Sequence, residues 1–71
     1  MTEVQEEKWR FVNAHVAPMC MELDSSIDKL WYSVTNGTEL VTIQRRNKSV
    51  VRIDVTADSL AALARDVLRT F

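Results

Sequence analysis

The sequence predicts an α+β fold in which one helix, three antiparallel strands and a second helix follow in the order α-β-β-β-α. Three observations predict it. Apolar residues recur every three to four positions near both ends of the chain, they alternate with polar residues in the middle, and Asn36-Gly37 separates two of the alternating runs. We expect a three-stranded antiparallel meander with the N- and C-terminal helices packed on one face, in a single domain covering residues 1–71.

The first helix is predicted over residues 3–17. Thr2 is placed to cap it, and Gln5 follows three residues on, as in a capping box. Pro18 lacks a backbone donor and crowds the preceding turn. The helix therefore either ends near Ala17 or kinks there and continues as a second piece over about 19–26, before a break at "DSSID". Its apolar stripe is formed by Trp9, Val12, Val16, Cys20, Leu23 and Ile27, widened by Phe11 and Met19.

The middle of the chain begins with a predicted β-hairpin. Residues 30–34 alternate between apolar and polar side chains, and Asn36-Gly37 then supplies two residues that tolerate the positive φ of a type I′ turn. A two-residue loop fixes the pairing of the strands. The expected partners are Thr35 with Thr38, Ser33 with Leu40, Tyr32 with Val41 and Leu30 with Ile43.

A second turn separates the second strand from "VVRIDV". A two-residue loop would place Ile43 opposite Arg52 and spoil the apolar face. A three-residue loop over 47–49 instead pairs Ile43 with Ile53 and Val41 with Val55. We predict that loop, with Asn47 or Lys48 taking the unusual backbone angle of a bulged turn.

The last segment is predicted to be an amphipathic helix capped by Thr56, with Asp58 in its first turn. Its apolar positions are Leu60, Leu63, Ala64, Val67, Leu68 and Phe71. Both helices would cover the inner face of the sheet, which carries Leu30, Tyr32, Val41, Ile43, Val51, Ile53 and Val55. The outer face would carry Trp31, Ser33, Leu40, Thr42, Gln44, Arg46, Val50, Arg52 and Asp54.

The outer face is the most informative predicted surface, because Trp31 and Leu40 lie there on diagonal positions of paired strands. An exposed patch of this kind is a candidate protein contact surface. The alternative is that an extension of the first helix, or the piece "MCMEL", covers it within the same chain. On the first interpretation the protein is a small interaction module that self-associates as a homodimer or binds another protein, through the sheet face around Trp31 and Leu40 or through an exposed helix stripe. The candidate interface residues are Trp31, Leu40, Thr42 and Val50.

Basic residues cluster around the second turn, and they support an alternative function. A nucleic-acid-binding accessory protein would contact phosphates there, and the candidate contacts are Arg45, Arg46, Lys48 and Arg52. Against this, the formal charge of the whole chain is −1, so there is no general basic bias to recruit nucleic acid or anionic lipid.

Composition argues against several other functions. No apolar run approaches the roughly 18–20 residues that span a bilayer, and the acidic N-terminus is unlike a secretory signal, so we expect a cytoplasmic protein. The single Cys20 excludes an intramolecular disulfide, and with the single His15 it cannot complete a four-ligand zinc site. One glycine provides no phosphate-binding loop, and no pair of carboxylates is placed across a cleft. We therefore predict no cofactor, no metal, no catalytic residues and no enzymatic activity.

Two resemblances add to this interpretation. The α-β-β-β-α order and the length resemble the double-stranded RNA-binding domain, but that family contacts phosphates through a basic run at the start of its last helix, where this chain has "TADSLAAL". The segment "VRIDVTADSLAALARDVLRTF", mainly through "VTADS" and "RDVL", is similar to the C-terminal half of short proteins of unknown function from prophages and mobile elements of Gram-positive bacteria. That resemblance covers about a third of the chain and implies a phage-type or accessory context.

Overall fold

The computed structural model describes residues 1–71 and begins with a helical stretch in three parts. These are α1 (Glu3–Phe11), a π-helical segment (Val12–Val16) and α2 (Ala17–Leu23). The predicted capping box is confirmed. The Thr2 hydroxyl accepts from the N–H of Gln5 at 3.2 Å, and the Gln5 side chain accepts from the N–H of Thr2 at 2.9 Å.

Pro18 does not end the helix, because the turn before it widens. In a regular α-helix Pro18 would crowd the carbonyl of Ala14 and leave that carbonyl without its usual donor. Here the N–H of Ala17 donates to the carbonyl of Val12, five residues earlier, which is the π-helical pattern. Pro18 then lies in the first turn of α2, where a missing N–H costs little. Of the two possibilities left open by the sequence, continuation is correct.

The buried face of this helix differs from the predicted stripe. Trp9 and Leu23 are exposed, whereas residues spaced by four face the sheet: Lys8, Val12, Val16 and Cys20. Each step of four advances about 40° beyond a full α-helical turn, and the wider π turn offsets this drift. The stripe prediction was therefore wrong at Trp9, at Leu23 and at Met19, which is also exposed, since it assumed an unbroken α-helical period. Ile27, also assigned to the stripe, begins the first strand.

The sheet consists of β1 (Ile27–Thr35), β2 (Thr38–Arg45) and β3 (Val50–Asp54) in the order β1-β2-β3. Its first hairpin has the predicted register, with Thr35 opposite Thr38 and Leu30 opposite Ile43. Asn36 and Gly37 have φ of 52° and 79°, as a type I′ turn requires. β1 begins three residues earlier than expected and contains a bulge between Ile27 and Lys29.

The register of the second hairpin was wrong by two residues. Val41 pairs with Ile53 and Ile43 with Val51, instead of Val55 and Ile53. The turn has three residues, as predicted, but it starts one residue earlier, because the N–H of Arg45 donates to the carbonyl of Ser49 at 2.9 Å. Lys48 has the expected positive φ, 75°. A shift of two leaves every side chain on its predicted face, so alternation could not detect the error.

The chain ends with α3 (Leu60–Leu68), which begins later than predicted. Its cap is Ser59, whose hydroxyl accepts from the N–H of Ala62 at 3.2 Å. Thr56 is not the cap, because its hydroxyl accepts from the N–H of Glu39 at 2.9 Å and so ties the end of β3 to β2.

Both ends of the chain pack on the inner face, as predicted. They form one core with the sheet, made of Val12, Val16, Ala17, Cys20, Ile27, Leu30, Tyr32, Val41, Ile43, Val55, Leu63 and Val67. Because Cys20 belongs to this core, α2 covers the inner face and not the outer one. The alternative in which "MCMEL" covers Trp31 was therefore wrong.

Candidate functional site

The outer face is a regular grid of nine side chains. Strand alternation selects them and the two registers align them in rows of three. One row is Lys29, Gln44 and Val50, the middle row is Trp31, Thr42 and Arg52, and the last row is Ser33, Leu40 and Asp54. Arg46, which the sequence placed on this face, lies instead in the turn between β2 and β3.

The four candidate interface residues lie together on this grid, and we call them the Trp31 patch: Trp31, Leu40, Thr42 and Val50. Trp31 is 38% exposed and Val50 is 43% exposed, whereas Leu40 is half-buried. Thr42 is only 4% exposed although no helix covers it, because it sits on the central strand between paired neighbours. The patch thus consists of three apolar side chains placed around the buried Thr42, with charged and polar side chains at the remaining positions of the grid.

The four candidate phosphate contacts do not form one surface. Arg45 is directed toward the helices, where its Nη1 donates to Asp24 Oδ2 at 2.6 Å and its Cζ lies 5.9 Å from the ring centroid of Phe71. Arg46 Nε donates to the carbonyl of Ser25 at 3.0 Å. Arg52 lies on the opposite, outer face. Two of the four cations are thus engaged within the chain, and Lys48 in the turn and Arg52 on the sheet lie apart.

The contact between Arg45 and Asp24 makes stability depend on pH. Ser26 donates to Asp24 through its hydroxyl at 2.6 Å and its N–H at 2.9 Å, and with Arg45 it lowers the pKa of Asp24 to about 2. The ordinary value is 3.8. Because the folded pKa is the lower one, the carboxylate stabilises the fold above about pH 4, and this contribution is lost as the pH falls toward about 2.

We therefore expect Asp24→Asn to lower the free energy of unfolding at neutral pH, with a difference from wild type that shrinks between about pH 4 and about pH 2. Urea denaturation across this range measures it. Asp28→Asn, at an exposed position of β1, is the control and should follow the wild-type curve. A deficit in Asp24→Asn that stays constant down to about pH 2 would contradict the assignment.

The structure also contains a buried ion pair that the sequence analysis did not predict. Lys8 is 3% exposed, and its Nζ donates to Glu39 Oε1 at 2.8 Å, to the carbonyl of Val55 at 2.9 Å and to that of Thr56 at 3.4 Å. The hydroxyl of Tyr32 donates to the same Oε1 at 2.8 Å. All three ammonium protons thus have acceptors, as a buried lysine requires. Burial and the adjacent Glu39 carboxylate raise the pKa of Tyr32.

Two signals in the sequence pointed toward this pair. Glu39 lies two residues before Val41 and four before Ile43 in β2, so its side chain points to the same face as theirs. The correctly predicted register of the first hairpin therefore already placed it on the inner face. Lys8 lies four residues before Val12 and continues the spacing of the buried helix face. The ion pair ties α1 to the central strand, and it does not line a cavity.

A second group of charged side chains lies at the start and middle of α3. The pKa of Asp58 is raised and that of Asp66 is lowered, chiefly because the two carboxyls share a hydrogen bond. Arg65 Nε and Arg69 Nη1 lie 3.2 and 3.6 Å from Asp66 Oδ1 and favour its ionised form. The shared hydrogen bond thus favours the protonated form of Asp58 and the ionised form of Asp66, and Asp58 Oδ2 is buried without a further hydrogen-bond partner.

The single histidine and the single cysteine, His15 and Cys20, lie in different environments. His15 is exposed, with its ring centroid 5.9 Å from that of Phe11. Cys20 is fully buried, and burial raises the pKa of its thiol, which disfavours the reactive thiolate. The one surface depression is open and shallow, and it is lined by Met1, Glu6 and Trp9.

The Trp31 patch is the exposed apolar surface of the sheet, and the helical stretch exposes apolar side chains of its own, among them Val4, Trp9 and Leu23. No three His, Cys, Asp or Glu side chains are grouped so that they could hold a metal ion. No helix combines the length and apolarity that crossing a bilayer requires. In comparisons with known proteins, no family model, no curated protein and no solved structure matches this chain.

Proposed function

We propose that the protein is a small interaction module that acts by binding and self-associates through the Trp31 patch. The observation that carries this proposal is the uncovered outer face. Both helical ends pack on the inner face, so Trp31 stays 38% exposed in the middle row of the sheet. A large rigid side chain contributes much contact area for little loss of conformational freedom, which is why tryptophans dominate binding energy at interfaces.

A second copy of the chain is a suitable partner for this surface. Only 15 of the 71 residues are buried, so one copy has a small core, and small domains often gain stability by association. The formal charge of −1 gives two copies little reason to repel each other.

The proposal places the protein in the cytoplasm, where a single unpaired and buried cysteine is ordinary. The buried charged groups are engaged within the core, because Lys8 and Tyr32 both donate to Glu39.

The test is a comparison of the two tryptophans, which are similarly exposed but lie on different elements. Trp31 is on the outer face, and Trp9, 44% exposed, is on α1. We expect wild type to dimerise in sedimentation velocity and Trp31→Ala to weaken dimerisation about 30-fold, the effect of losing roughly 2 kcal/mol at a central interface residue. Trp9→Ala should stay within about twofold of wild type.

Two results would count against the proposal. A wild-type protein that stays monomeric over the whole concentration range removes self-association. Equal effects of Trp31→Ala and Trp9→Ala would show that the outer face is not the contact. A phage-type context and nucleic-acid binding by the basic turn stay predictions from the sequence.

A further inference from the structure

The strand β3 forms one edge of the sheet, and its backbone groups divide into two sets. The N–H of Val55 donates to Glu39 and the carbonyl of Ser49 accepts from Arg45, both at 2.9 Å. Odd-numbered residues of this segment therefore direct their backbone groups toward β2. By alternation, the N–H and C=O groups of Val50, Arg52 and Asp54 point to the open side.

The two sheet edges differ in how well they are protected. The edge strand β1 is interrupted by the bulge between Ile27 and Lys29, and bulges and lysines are common devices against edge-to-edge pairing. By contrast, β3 pairs with β2 without interruption from Val50 to Asp54. Its first residues are exposed on both faces, Val50 on the outer face and Val51, 38% exposed, on the inner face. An unbroken, partly apolar edge favours addition of another strand.

We propose that β3 pairs with β3 of a second copy, antiparallel and centred on Ile53, to form a continuous six-stranded sheet. The charges on the strand select this register. Centring the pair on Arg52 would place two arginines directly opposite each other, and centring it on Val51 would place Arg52 opposite Val50. Centring it on Ile53 places each Arg52 opposite Asp54 of the other copy, twice by symmetry, and opposite charges across strands stabilise a sheet.

The backbone agrees with this register. Arg52 and Asp54 both direct their N–H and C=O groups outward, so each such pair exchanges two hydrogen bonds. The two Ile53 residues then form a non-hydrogen-bonded pair on the inner face, with Cα atoms about 4.5 Å apart. The two-fold axis is perpendicular to the sheet, so the helices of both copies lie on one side and both outer faces on the other. This contact goes beyond the proposed one, because it uses the backbone edge of β3, including that of Val50, and leaves the outward side chains of the Trp31 patch exposed.

Disulfide cross-linking tests the register. At a Cα separation of about 4.5 Å, Ile53→Cys should form an intermolecular disulfide rapidly under mild oxidation. In the same register the two copies of residue 51 lie four residues apart along the strands, roughly 13 Å, so Val51→Cys is the matched control and should not cross-link. The native Cys20 is fully buried and does not compete. No cross-link from Ile53→Cys, or an equal or faster one from Val51→Cys, overturns the proposal.

A charge exchange gives a second, independent readout. Introduced into Ile53→Cys, Arg52→Asp and Asp54→Arg each create like-charge pairs across the edge and should slow the intermolecular cross-link about tenfold, whereas the double variant restores opposite charges and should recover the original rate. Asp54 Oδ1 also accepts from the N–H of Thr56 at 2.9 Å, so thermal melts must accompany the measurement. A folded double variant no better than the single ones overturns the proposal. Trp31→Ala should leave the Ile53→Cys cross-link intact, which separates this contact from the outer face.

Discussion

Replacing Lys8 by methionine should lower the free energy of unfolding by about 3–5 kcal/mol, the usual effect of removing one member of a buried ion pair. Methionine keeps most of the volume of lysine but leaves the Glu39 carboxylate, 6% exposed, without its cation. The carbonyl of Val55 also loses a donor, which adds to the loss. Urea denaturation followed by tryptophan fluorescence measures the change, at one fixed protein concentration so that the proposed self-association affects all variants alike.

The double variant Lys8→Met, Glu39→Gln is the matched control. Glutamine can still accept from the hydroxyl of Tyr32 but carries no charge, so the double variant should be more stable than Lys8→Met alone. Lys29→Met, at an exposed site of the outer face, should change stability by less than about 1 kcal/mol. If Lys8→Met resembled Lys29→Met, the ion pair would not have the structural role described here.

The second large effect concerns the packing of α3. Leu63→Ala should lower the free energy of unfolding by about 2–5 kcal/mol, because Leu63 is completely buried in the core and its removal leaves a cavity. In a domain of this size a loss of about 2–5 kcal/mol is a large part of the total free energy of unfolding. A variant that shows only a shallow unfolding transition, or none, would therefore also agree with the prediction. Thermal and urea denaturation both measure it.

The same substitution on the other side of α3 provides its control. Leu68, in the last turn, is 39% exposed, so Leu68→Ala removes the same atoms with little cavity. Both changes replace leucine by alanine within α3, so the difference between them chiefly reports burial. A loss in Leu68→Ala as large as in Leu63→Ala would show that α3 packs by another face.

The first hairpin could be predicted in detail because two independent constraints coincide there. Asn36-Gly37 admits only a tight turn, and the tight turn leaves a single register that places apolar side chains together. The second turn offered no such constraint. A three-residue loop fits in two frames, 46–48 and 47–49, whose strand registers differ by two residues, and the alternation of side chains is the same in both.

The positions of charged residues were harder to predict, because patterning assigns lysine and glutamate to solvent. Lys8 is buried only because distant groups, Glu39 and two backbone carbonyls, meet it in the folded state. The widened turn before Pro18 likewise has no signature in a single sequence. Alternation along the strands predicted which side chains form the outer face. Whether a helix covers that face depends on where the helices dock, and the pattern of the strands contains no information about the docking site.

The Lys8 contacts also bear on how the chain folds while it is being made. The partners of Lys8 lie 31, 47 and 48 residues further along the sequence. During synthesis the N-terminal helix leaves the ribosome first. The ammonium group of Lys8, however, has no complete set of acceptors in which to be buried until Thr56 has also emerged. We expect this helix to stay hydrated and only partly formed while the first β-hairpin, whose contacts are close in sequence, folds. The helix should dock on the sheet late.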